Sequence, residues 1–143
     1  MKHKMIKFMV RMLAAAILLS SLSLTDCWGY EEERTRDNFS HELVVCSAYF
    51  DIAAEGIRRT GLAGSEEAAI AYETASMQLG ALARKLSRDD VVLARYKLAL
   101  EDHIKTIRGD YSNLSLLTVK YSDLCKQVLE KPEARLKYWR DKK

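Results

Sequence analysis

The fold of this chain is decided by residues 38–61, which read NFSHELVVCSAYFDIAAEGIRRTG. Apolar side chains alternate here at spacings of three and four, which places on one helix face the residues Leu43, Cys46, Phe50, Ala53 and Ile57. Arg58 and Arg59 suit the negative end of a helix dipole, and Gly61 supplies the left-handed residue that commonly ends a helix. The stretch therefore predicts a first helix from about Asn38 to Thr60.

Three further helical patterns follow, each with an apolar stripe of similar spacing. The stripes run from Ala68 to Leu86, from Leu93 to Ile107 and from Leu114 to Val128, and Pro132 ends the last of them. One proline and six glycines among 143 residues favour an all-helical domain. Four helices with short connections predict an all-α protein, an up-down-up-down four-helix bundle over residues 38–131.

Residues 1–26 have the composition of an export leader. Lys2, Lys4, Lys7 and Arg11 give a positively charged start, and an uncharged apolar run of thirteen residues follows at Met12–Leu24. That run is long enough for a signal peptide but too short to cross the ~30 Å hydrocarbon core of a bilayer as a helix. We expect cleavage between residues 23 and 29, a polar lead-in at residues 27–37, and export to the periplasm.

The net positive charge of the chain belongs to this leader. The full chain has 23 Lys and Arg against 20 Asp and Glu, and residues 1–26 hold four of the bases and one of the acids. Residues 27–143 therefore carry 19 of each and have no formal net charge. A neutral domain argues against a nucleic-acid partner.

The three cysteines predict one disulfide in an oxidising compartment. Cys46 near the start of the first helix and Cys125 near the end of the fourth lie at the same level of an up-down-up-down bundle, and both lie on apolar stripes. We therefore predict a Cys46–Cys125 disulfide. Cys27 is left over at the processing boundary, where three outcomes stay open: removal with the leader, lipidation after the lipobox-like Leu24–Cys27, or a free thiol.

Motifs for catalysis and for metal binding are missing from the sequence. It contains neither the Gly-x-Ser-x-Gly of a serine hydrolase nor the Gly-x-x-x-x-Gly-Lys of a phosphate-binding loop. Glu-x-x-His, His-x-x-x-His and Cys-x-x-Cys-His are absent too. The acid pairs Glu66–Glu67 and Asp89–Asp90 fall at helix starts, where the helix dipole explains them. We expect a protein that is not an enzyme and holds no metal or cofactor.

Aromatic residues offer two interpretations of how the domain binds. The inward-facing positions include four tyrosines and a histidine, namely Tyr49, Tyr72, Tyr96, Tyr121 and His103. They indicate either core tyrosines whose hydroxyls reach the rim of the core or a tyrosine-lined cleft for a small ligand. The basic tail, residues 132–143, carries Tyr138 and Trp139, residue types enriched in interfaces. It is predicted to form a packed terminal turn, a partner-docking segment or a membrane-surface segment.

Two segments resemble small exported proteins of Gram-negative bacteria that have no assigned function. The segments are Cys46-Ser-Ala-Tyr49-Phe50 and Tyr121-Ser-Asp-Leu-Cys125-Lys126, the latter shortly before Pro132, and the leader completes the resemblance. The resemblance implies a periplasmic location and one structural disulfide.

The functional hypothesis is a periplasmic helical protein that binds an envelope protein as an accessory factor, adaptor or inhibitor. The alternative is a bundle that binds a small ligand in its tyrosine-lined cleft. Membrane contact is expected only through a lipidated Cys27 or through the tail.

Overall fold

A computed structural model describes the backbone of residues 2–142 and the side chains of residues 29–142. Over the described backbone it contains no strand and five α-helices: α1 Lys2–Arg59, α2 Ser65–Leu86, α3 Asp89–Thr106, α4 Ser115–Glu130 and α5 Pro132–Asp141. A 3₁₀ turn, Tyr111–Asn113, precedes α4. The predicted all-α class is confirmed. The predicted signal peptide and Cys27 lie outside the described side chains.

The first helix begins earlier than the sequence pattern suggested. We expected its start near Asn38, but α1 is helical from Lys2. Residues 31–37, EEERTRD, contain no helix breaker and include several good helix formers, so the helix continues through them. Internal contacts divide the chain into two units, residues 1–34 and residues 35–143, and the packing below belongs to the second. Among the described residues, no helix has a stretch both long and apolar enough to cross a membrane.

The part of α1 that belongs to the second unit forms the centre of the domain. Between residues 42 and 56, every side chain is buried except Val45, Asp51 and Glu55. The predicted stripe is buried as expected from Leu43 to Ala53, but burial extends around nearly the whole helix. Small residues make this enclosure feasible, and Ser47, Ala48 and Ala54 are each at most 4% exposed.

Side-chain contacts show that α2 and α4 each run in the opposite direction to α1. The Ser40 and Ser47 hydroxyls donate to the carbonyls of Ala83 at 3.3 Å and Ser76 at 3.1 Å. Later positions on α1 thus meet earlier positions on α2. The same holds for α4, since an added Cβ at Gly56 would lie 2.8 Å from Leu114, whereas the earlier Cys46 meets Cys125.

A disulfide joins Cys46 of α1 to Cys125 of α4, with their Cα atoms 5.2 Å apart. Both cysteines are fully buried. This is the pairing that the sequence predicts. Because it closes a sequence separation of 79 residues, it removes many extended conformations from the unfolded chain.

The tail forms a helix that docks on α1. Pro132 begins α5, at a position where its missing N–H is not needed. The Glu42 carboxylate, 7% exposed, accepts hydrogen bonds from Arg135 and, at 2.9 Å, from the Trp139 indole N–H. The tail is thus a packed helix rather than the predicted turn, and its contact with a partner or a membrane surface stays a prediction.

Candidate functional site

The α2–α3 groove is a cavity of about 400 Å³ between three helices. Its lining residues are Val44, Ser47 and Asp51 of α1, Ser76, Met77, Gly80, Ala81 and Arg84 of α2, and Val92, Leu93 and Tyr96 of α3. Since α1 is the buried central helix, it forms the floor, and α2 and α3 form the walls. Ligand-binding clefts commonly have volumes of about 300–1,000 Å³, so the groove is large enough to accept side chains or a small molecule.

Exposed apolar side chains stand on both walls of this groove. Met77 on α2 is 67% exposed, and Leu93 on α3 is 52% exposed. Burying such apolar surface contributes roughly 25 cal/mol per Å², so a partner that covered both side chains would gain binding free energy. At Gly80, an added Cβ would contact only the Ser47 hydroxyl, at 3.7 Å. The missing side chain therefore keeps the groove open down to its floor.

Polar side chains of the floor bond to polar side chains of the walls. The Ser47 and Ser76 hydroxyl oxygens lie 2.9 Å apart, and the Tyr96 hydroxyl donates a hydrogen bond to Asp51 Oδ2. Burial, and then the bond to the Asp51 carboxylate, raises the pKa of Tyr96 above its ordinary value. The tyrosine hydroxyl thus stays protonated at neutral pH and fixes one oxygen of the carboxylate. The groove combines apolar walls with an anchored acid.

The structure brings together only part of the predicted tyrosine-lined cleft. The rings of Tyr49 and Tyr121 lie in contact, with centroids 6.1 Å apart. Tyr96 lines the α2–α3 groove, whereas Tyr49 and Tyr72 line a second cavity of about 360 Å³ formed by residues of α1, α2 and α4. Tyr121 packs edge-on against His103, with ring centroids 4.7 Å apart. The structure therefore brings Tyr49 and Tyr72 to one cavity and leaves the other three outside its lining.

His103 is a buried core residue, 1% exposed. Its Nε2 lies 3.1 Å from the Val45 carbonyl, which can only accept, so Nε2 carries the hydrogen. Nδ1 is buried and has no hydrogen-bond partner among the described residues. Burial lowers the pKa of His103, and this effect outweighs the bond to Val45 and the nearby Asp102 charge. The imidazole is therefore neutral in the folded protein at pH 7.

We expect His103 to make the domain less stable as the pH falls below about 6.5, the ordinary histidine pKa. In that range the unfolded chain takes up a proton that the folded chain refuses, at a cost of at most about 1.4 kcal/mol per pH unit. The loss ends below the lowered folded pKa. Urea unfolding at pH 7.5, 6.5 and 5.5 measures this slope. His103→Leu should reduce the slope, and His41→Gln, at an exposed position, should leave it unchanged. Equal slopes in all three proteins would contradict the prediction.

The two aromatic residues of the tail differ in accessibility. Trp139 packs against the core and donates its indole N–H to Glu42. Tyr138 is 43% exposed, and the Arg135 guanidinium lies 4.3 Å from its ring centroid. Partner contact by Tyr138 and Trp139 stays a prediction, with Tyr138 the more accessible of the two.

Comparisons of the chain with protein-family models, curated proteins and solved structures find no match. Among the described residues, no three His, Cys, Asp or Glu side chains form a group that could hold a metal ion. The α2–α3 groove was missed by sequence reasoning, which assigned Leu93 to the core. The adjacent Val92 is buried instead, at 5% exposure. The available signal was Met77, a large apolar residue outside the predicted stripe of α2.

Proposed function

We propose that this chain is an exported, non-enzymatic helical protein of the bacterial envelope that binds another protein through the α2–α3 groove. The observation that carries the proposal is the exposure of Met77 and Leu93 on opposite walls above the polar side chains of the floor. A concave surface lined by exposed apolar side chains with a few polar groups is typical of binding sites.

The proposal includes an up-down-up-down bundle at residues 38–131 behind a signal peptide at residues 1–26. The contacts of α1 with α2 and α4 support the bundle because both run in the sense expected for antiparallel neighbours. The charge and apolar pattern of the leader supports export. A buried disulfide is compatible with folding in an oxidising compartment.

Site-specific photo-crosslinking in a Gram-negative host tests this function. A photoreactive amino acid replaces Met77 or Leu93, and a third variant carries it at Val119, a 90% exposed residue of α4 outside the groove. We expect one protein to crosslink from both groove positions and not from Val119. The crosslinked chain should fractionate with the periplasm. The intact mass of the uncrosslinked chain should correspond to an N-terminus between residues 23 and 29.

Two results would contradict the proposal. One is the absence of any protein adduct at both groove positions. The other is the same adduct at Val119, because the crosslink would then report general surface contact. A soluble full-length species starting at Met1 would refute export of the chain but not its binding of a protein through the groove.

Small-ligand binding is a second candidate, favoured by the cavity that Tyr49 and Tyr72 line. Native mass spectrometry of the purified domain discriminates the two functions. A stoichiometric small molecule that Tyr72→Ala abolishes would favour the ligand-binding function, provided that no protein crosslinks at the groove.

A further inference from the structure

We propose that the occupant of the α2–α3 groove is a helix of the partner protein that places a lysine or arginine beside Asp51. This inference rests on the proposed function and adds the shape and the charge of the partner. Three features carry it: an acid without a cation, exposed apolar side chains on both walls of the groove, and opposite charges at its two ends.

Asp51 differs from the other acidic residues of its segment of α1. The three others between residues 35 and 59 each pair with an arginine: Asp37 with Arg95, Glu42 with Arg135, and Glu55 with Arg59. Asp51 receives only the Tyr96 hydroxyl, on Oδ2, and no cation of the described side chains lies within 4 Å of it. Oδ1 therefore remains for a donor from another molecule, and a charged donor would form the stronger hydrogen bond.

One face of α2 presents exposed apolar side chains beside the groove. Ile70, Met77 and Arg84 follow one another at seven-residue intervals, so they lie on one face of α2. Ile70 is 52% exposed and Met77 is 67% exposed. This face of α2 thus carries two exposed apolar side chains followed by a base. Since Leu93 stands on the opposite wall, a helix in the groove would cover both walls at once.

The groove has an acid at one end and a base at the other. The Ser40 hydroxyl bonds the Ala83 carbonyl, which places Arg84 near the level of Ser40 on α1. Asp51 lies eleven residues further along α1, about 16 Å away at 1.5 Å per residue. Arg84 makes no ion pair with a described side chain.

The matching partner segment follows from helix geometry. Eleven residues make about three turns, so positions i and i+11 of a helix share a face. A segment with Lys or Arg at one of these positions, Asp or Glu at the other and apolar residues between them fits both the charges and the walls of the groove.

The test combines crosslinking from Met77 with a substitution at Asp51 that removes the charge and keeps the side-chain shape. Asp51→Asn keeps an oxygen that can accept from Tyr96, so the fold should be retained, which circular dichroism checks. Glu55→Gln is the matched control, because it removes the same charge from α1 outside the groove. We expect Asp51→Asn to lower the yield of the crosslinked partner about tenfold and Glu55→Gln to leave it unchanged. Mass spectrometry should map the crosslink to a segment with the predicted charge spacing.

Reversal of the ion pair is the stronger form of the test. Asp51→Lys should abolish the crosslink, and replacing the mapped basic residue of the partner with glutamate should restore it. Two results would overturn the inference and leave the proposed function standing. One is an unchanged yield of the crosslinked partner in Asp51→Asn, and the other is a partner segment with no Lys or Arg within two helical turns of the crosslinked residue. No protein adduct at either Met77 or Leu93 in the otherwise unaltered chain would overturn the proposed function itself.

Discussion

Replacing Glu42 with alanine is expected to lower the free energy of unfolding by about 3–5 kcal/mol, or to release α5 from the domain. Glu42 is 7% exposed and accepts from both Arg135 and the Trp139 indole. Without the carboxylate, the mostly buried Arg135 guanidinium and the Trp139 indole N–H both lose their partner, and leaving desolvated donors unpaired costs free energy. Urea unfolding followed by circular dichroism measures the loss.

Release of α5 has its own readout. In a Trp28→Phe background, Trp139 is the one remaining tryptophan of the sequence, and its emission should shift to longer wavelength when α5 leaves the core. Glu55→Ala is the matched control, since it breaks a solvent-exposed pair with Arg59 and should cost less than about 0.5 kcal/mol. Equal losses in Glu42→Ala and Glu55→Ala, with no change in emission, would show that the Glu42 contacts do not hold α5.

Removing the disulfide through the double replacement Cys46→Ala, Cys125→Ala is expected to lower the free energy of unfolding by about 4 kcal/mol. The bond spans 79 residues of sequence, so its loss gives the unfolded chain a large gain in conformational entropy. Both cysteines are fully buried, so the smaller side chains also leave a cavity that adds to the loss. Denaturant unfolding of the variant and of the oxidised parent measures the difference.

Cys27→Ala is the control for the double variant, since Cys27 takes no part in this disulfide. Its free energy of unfolding should equal that of the parent. The pairing itself is checked by peptide mapping without reduction, which should recover Cys46 and Cys125 in one crosslinked species. Free thiols at both positions in protein from an oxidising compartment would disprove it.

Much of the helical layout could be predicted because local sequence determines it. The spacing of apolar residues predicted which positions of α1 face inward, and Pro132 correctly predicted where α4 ends. Chain connectivity with the two stripes was enough to pair Cys46 with Cys125. These features depend on residues within a few turns of one another, or on the order of the helices.

The burial of the central helix could not be predicted, because its cause lies far along the chain. Glu42 looks like a solvent-facing residue until Arg135 and Trp139 approach it, 93 and 97 residues later. Ser47 looks equally polar until Ser76 accepts its hydrogen bond. Periodicity identifies an apolar face but does not tell how many other helices enclose a helix.

The candidate site was missed because a small error in phase decides which residue of α3 is exposed on the groove wall. We placed Leu93 on the inward stripe of α3, whereas its neighbour Val92 is buried and Leu93 faces the groove. One residue rotates a helix position by about 100°, and either apolar side chain suits the stripe. The Asp51–Tyr96 bond joins residues 45 apart, a separation that no local motif encodes.

The position of the disulfide also determines how this domain would carry a mechanical load. Residues 46–125 form a covalently closed ring that contains all of α2 and α3, and α5 lies outside that ring. Tension applied between the two ends of the chain passes from α1 through the sulfur–sulfur bond into α4, and bypasses both walls of the α2–α3 groove. In a chain tethered at one end and pulled at the other, α2, α3 and Ser47 and Asp51 of the floor would stay shielded from the force until that covalent bond broke, whereas Val44 lies outside the ring.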